Sequence, residues 1–105
     1  ILLLILSSCA SSHSTKYEPF DIEIKNLIIH ISPNKDNFPK DCQYYDSSLR
    51  RLIKAEGCAY PNDIWVVGKL NENNEIEINY EILGHEVAHI LNWKDRSIVD
   101  PDKRR

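Results

Sequence analysis

At Asn79 the apolar period of the chain changes, and this change constrains the fold more than any other feature. Upstream, Glu75-Ile76-Glu77-Ile78-Asn79 alternates strictly, the pattern of a half-buried strand. Downstream, Leu83, Val87, Ile90 and Leu91 recur at helical spacing and form one apolar stripe. A strand that enters a C-terminal helix, at the end of a chain rich in β-branched runs, reads as α+β with a small, mainly antiparallel sheet. With 105 residues there is room for one such domain.

The earlier elements are read the same way. Phe20, Ile22 and Ile24 alternate with Asp21, Glu23 and Lys25, and Leu27-Ile28-Ile29-His30-Ile31 continues the run, so one or two strands are expected here. Ser32 to Asp41 carries Pro33, Asn34, Asn37 and Pro39 and reads as a loop. Ser47 or Ser48 is placed to cap a short helix bearing Leu49, Leu52, Ile53 and Ala55, with Gly57 as its stop. After a turn at Pro61-Asn62, Ile64-Trp65-Val66-Val67 is apolar on both faces and reads as a buried strand. The polar turn Asn71 to Asn74 then returns the chain antiparallel to it.

The N-terminal end points to export. Ile1 to Leu6 is an unbroken apolar run, far short of the roughly 20 residues that span a bilayer, and it fits the tail of a signal-peptide h-region. Leu6-Ser7-Ser8-Cys9 resembles the bacterial lipobox, in which the cysteine is lipidated after cleavage. An ordinary secretory signal, or a buried strand, is the plainer alternative. The expected organisation is residues 1–8 as the remnant of a lipoprotein signal peptide, 9–18 as a polar tether behind lipidated Cys9, and 19–105 as the folded domain. The expected location is the bacterial envelope, with the lipid as membrane anchor. Export makes Cys42 and Cys58 a candidate disulfide, closing a loop of about 17 residues worth about 3 kcal/mol. Two buried thiols are the alternative. A net charge of −3 and a pI near 5.8 give no support for a nucleic-acid partner.

The chemistry lies in the last helix, at Gly84-His85-Glu86-Val87-Ala88-His89, an H-E-x-x-H sequence. Histidines four apart lie on one helical face, where both imidazoles reach a single zinc ion at about 2.0–2.1 Å. Glu86 sits beside the metal without binding it, placed to take a proton from activated water and hand it to a leaving amine. The plainer reading is two solvent-facing histidines and a salt-bridging glutamate. His30 and His13 lack such context and read as a sheet histidine and a tether residue.

At these residues the chain resembles the zincin metallopeptidases, over Glu75 to about Asp102. The resemblance implies a sheet with a backing helix, and an active-site helix that supplies two ligands and the base. A third protein ligand is then required. There is no glutamate after Glu86, which argues against a gluzincin-like site. His89-Ile90-Leu91-Asn92-Trp93-Lys94-Asp95 is similar to the metzincin extension, with Asn92 at the glycine position and Asp95 at the ligand position. Asn tolerates the left-handed conformation that would turn the chain there. Asp100 and Asp102, on the Asp100-Pro101-Asp102 turn, compete with Asp95 for that role. The methionine turn of metzincins has no counterpart, because the chain has no Met.

The resemblance implies a zinc-dependent peptidase of the bacterial envelope, or a degenerate one, acting on a peptide or protein substrate. Its ligands would be His85, His89 and Asp95, with Glu86 as the base. A zinc-stabilised lipoprotein binding module without turnover, or a piece of a larger metalloprotease, would carry the same residues.

Overall fold

The structure is a computed structural model and describes residues 17–103. Cys9, the signal-peptide remnant and most of the tether therefore lie outside the described residues. The elements in chain order are β1 (Ile28–Ser32), a 3-10 turn (Lys35–Asn37), β2 (Gln43–Asp46), β3 (Arg51–Lys54), β4 (Gly57–Tyr60), β5 (Asp63–Leu70), β6 (Ile76–Ile78) and α1 (Tyr80–Lys94). The fold is α+β, with α1 as the single α-helix among the described residues. Among those residues, no helix is long and apolar enough to cross a membrane.

β5 is the organising strand. β1 runs parallel to it, with Ile29 opposite Ile64 and Ile31 opposite Val66. β4 and β6 pair with it antiparallel, at Gly57–Tyr60 and Ile76–Ile78 respectively. The sheet is therefore mixed, although antiparallel pairs predominate as expected. Ile64 and Val66 face α1 and are fully buried against Ile90, with Ile82, Leu83 and Val87 packed around them. This is the contact the change of period called for: alternate residues of one strand meet one stripe of one helix.

Two expectations need correction. The alternation from Phe20 to Ile24 forms no ladder, and the first strand begins at Ile28, after a turn in which Asn26 adopts φ 58°. Ile24 still packs against the core, so the apolar positions report burial there rather than pairing. The second correction is larger. Ser47 and Ser48 cap no helix; they lie in the turn of the β2–β3 hairpin, in which Tyr44 faces Ile53 and Tyr45 faces Leu52. Asp46 takes the capping role through its side chain, accepting from the Ser48 and Leu49 backbone N–H groups at 2.9 and 3.0 Å. Arg50, at φ 56°, then returns the chain. No backing helix therefore forms from this segment.

The Cys42–Cys58 disulfide is present, with the two Cα atoms 5.8 Å apart. It explains why a hairpin is preferred over a helix. A hairpin brings its two ends together, and Ala55 N–H donates to the Cys42 carbonyl at 3.2 Å at its base. A ten-residue helix would hold the same ends about 15 Å apart. The hairpin contributes little to the core, since Tyr44, Tyr45, Leu49 and Leu52 are all exposed. The disulfide anchors it to β4, helped by the Lys35–Glu56 ion pair at 2.7 Å. Replacing both cysteines by alanine is expected to lower stability by about 3 kcal/mol in denaturant unfolding. A loss well under about 1 kcal/mol would show that the hairpin base holds without its cross-link.

Candidate metal centre

Asn79 starts α1 by accepting the Ile82 backbone N–H on its side chain at 3.1 Å. From that start, His85 and His89 fall one turn apart on the flank of the core stripe, with ring centroids 5.0 Å apart. Trp93 continues the row and stacks on His89 at 5.7 Å. Between the two histidines Glu86 turns inward toward β4. Gly57 makes room for it: a Cβ at that position would lie 2.7 Å from Ile82 Cγ2 and 3.4 Å from Glu86 Cγ. The glycine read as a helix stop is thus a point where strand and helix approach closely.

The tail beyond α1 supplies the third group. Asp102 places Oδ1 2.9 Å from His85 Nε2 and Oδ2 3.2 Å from His89 Nε2. One ligand atom from each of the three residues lies within 4.8 Å of the others. Two ligands of one tetrahedral zinc, at about 2.0–2.2 Å each, stand about 3.3 Å apart, so two imidazole nitrogens and a carboxylate at these separations fit that ion. Behind them, Asp100 Oδ1 is 3.9 Å from His89 Nδ1.

Asp95, the carboxylate at the metzincin-like spacing, is placed elsewhere. Asn92 does not turn the chain: α1 continues to Lys94, which carries Asp95 about 9 Å along the axis from His89. There Asp95 ends the helix and accepts from the Ser97 N–H and hydroxyl at 2.9 and 2.7 Å, bonds that hold its carboxyl below the usual carboxylate range. Asn92 still redirects the chain, but through its side chain. Buried, it donates to the Ile98 carbonyl at 2.6 Å and accepts from Arg96 at 2.8 Å, folding the tail back along the helix. The Asp100-Pro101-Asp102-Lys103 turn, closed by Lys103 N–H on the Asp100 carbonyl, then delivers Asp102 to the histidines.

No protein family matches the chain, and no curated protein or solved structure does either. The site is therefore read from its own geometry.

Glu86 is the most unusual group in it. It is 7% exposed, yet it makes no hydrogen bond or ion pair with any described residue. Burial pushes its carboxyl up, His85 and His89 partly oppose that, and Asp102 adds to it. The carboxyl lines a groove of ≈ 800 Å³ bounded by α1, β4 and the base of the hairpin. The far wall of that groove, contributed by Asp41, Tyr44 and Glu56, gave no signal in the sequence, because it depends on the hairpin and its disulfide. The histidine anticipated in the sheet is indeed there: His30 stacks on Trp65 at 3.9 Å and contacts Asp63 at 3.0 Å.

Proposed function

We propose that this protein is a zinc-dependent peptidase of the zincin type, carried on an exported bacterial lipoprotein. His85, His89 and Asp102 would hold the ion, an N, N, O set suited to zinc that leaves a coordination position free. When bound, zinc supplies a Lewis acid for a peptide carbonyl and acidifies water toward a pKa near 7.

The observation that carries the reading is Glu86: a largely buried side chain, one residue from a proposed ligand, whose unbonded carboxylate opens to the groove. A zinc site that served only to cross-link the tail to α1 would have no use for it, and partly desolvating an acid that makes no ion pair there is costly. As general base, Glu86 accepts a proton from the attacking water. Raised by burial, it then holds that proton long enough to pass it to the departing amine nitrogen.

The groove suits an extended substrate. Among the described residues β4 is paired on one side only, by β5, and Gly57, Cys58 and Ala59 line the groove. A peptide added along that edge would run past Glu86 and the two histidines. The lipid on Cys9 would tether the domain at a membrane surface.

The test is direct. Purified protein should take up about one zinc per chain, and the loaded form should cleave members of a mixed peptide library detected by mass spectrometry. Stoichiometric zinc with every peptide intact would favour the binding module. Failure to take up zinc at neutral pH would remove both readings.

A further inference from the structure

We propose that the groove takes peptides with a lysine or arginine side chain beside the bond to be cut. This rests on the peptidase reading and adds the substrate class. Among the described residues, the groove is lined by five carboxylates and by no lysine or arginine. Two of them are Asp102, of the metal group, and Glu86 beside it. The other three, Asp41, Glu56 and Glu81, come from the loop before β2, the junction of β3 with β4, and the first turn of α1. Only the tertiary fold brings them to one groove, on its hairpin side and on its helix side.

Their partners leave most of that charge in place. Glu56 is paired with Lys35, which stands outside the groove. Asp41 accepts the Tyr60 hydroxyl at 2.6 Å, a bond to a neutral group. Glu81 has no ion-pair partner among the described residues. Among the described residues, the lining carboxylates outnumber the positive charge that Lys35 and a divalent cation bring. A cleft lined by one sign concentrates ligands of the other. Lys69 lies in a separate, smaller cavity beyond Glu56 and Ile82, so it does not offset the arm beside His85.

The remaining lining fits a long side chain with a cationic tip. Tyr44 and Trp93 are exposed aromatic faces in the groove, and Ala55 and Ile82 offer apolar surface to a methylene stem. Glu86, 7% exposed as a residue and without a hydrogen-bond partner among the described residues, turns its carboxyl oxygens to the groove, which marks the groove as a place something enters.

The test uses zinc-loaded Glu86→Gln protein, which holds substrate without cutting it. Fluorescence anisotropy compares a short alanine-glycine peptide carrying one lysine with its glutamine and glutamate twins. The lysine peptide should bind roughly fivefold tighter than the glutamine twin at low salt, and the gap should narrow as salt rises. Glu81→Gln and Glu56→Gln should each shrink that ratio. Equal binding of the twins, preference for glutamate, or no binding by any of the three overturns the proposal. Cleavage of the same peptides by the wild-type protein separates the two claims. Cutting without regard to charge leaves the peptidase reading standing and removes this one. A basic preference in binding with no cutting removes the peptidase reading and this one with it, leaving only a groove that binds cationic side chains.

Discussion

Glu86→Gln should abolish peptide hydrolysis, lowering kcat by about 10²–10⁴-fold, while zinc affinity stays within a few-fold of wild type. Glutamine keeps the shape and the position next to Gly57 but accepts no proton from water at neutral pH. The proposed ligands His85, His89 and Asp102 are untouched, so a large fall in zinc content would contradict the assignment of Glu86 as base rather than ligand. Metal analysis alongside kcat decides between them. The same variant carries a second expectation, for the metal-free protein. Burial raises the Glu86 pKa, so wild-type stability is fully present below the ordinary carboxylate range and falls as pH rises through the raised value. Glutamine has no charge to bury. Metal-free Glu86→Gln should therefore melt higher than wild type at neutral pH and no higher at pH 4. A base that costs stability in the empty fold is the usual trade at a catalytic site.

The three aspartates after the motif should separate cleanly in zinc titrations. Asp102→Ala removes a ligand and leaves two imidazoles, so affinity should fall by well over 100-fold, beyond the 10–100-fold typical of groups that only orient a ligand. Asp100→Ala should fall within that milder range, since Asp100 stands 3.9 Å from His89 Nδ1 and also holds the turn through the Asp102 N–H at 2.9 Å. Asp95→Ala should bind zinc nearly as wild type, with a modest loss of stability from the freed Ser97 N–H. A steep loss in Asp95→Ala with little change in Asp102→Ala would reverse the assignment and restore the metzincin-like spacing.

That reversal of order shows where sequence reasoning stops. The spacing His89 to Asp95 assumed a helix ending at Asn92, and the residue type allowed it. What carries α1 past Asn92 is its side chain: it bonds the Ile98 carbonyl and Arg96, and once buried it has no reason to leave the helix, which ends at Asp95 instead. The mistaken helix at residues 47–56 has the same origin. Leu49, Leu52, Ile53 and Ala55 sit at helical intervals, yet Cys42 and Cys58 must meet, and only a hairpin closes that distance.

What the sequence determined by itself was local and periodic. It specified the central strand at Ile64–Val67, the turn and strand that follow, the amphipathic helix, and the presence of His85 and His89 on one helical face with Glu86 beside them. These are interactions within about four residues, or between a strand and its own hairpin neighbour, where period and turn chemistry decide the outcome. The tertiary structure alone decided the parallel pairing of β1, the third carboxylate at the histidines, and the acidic wall facing them. Each of those depends on which long-range contacts close first and which buried polar groups must then be satisfied, and residue type at a fixed spacing carries no record of that.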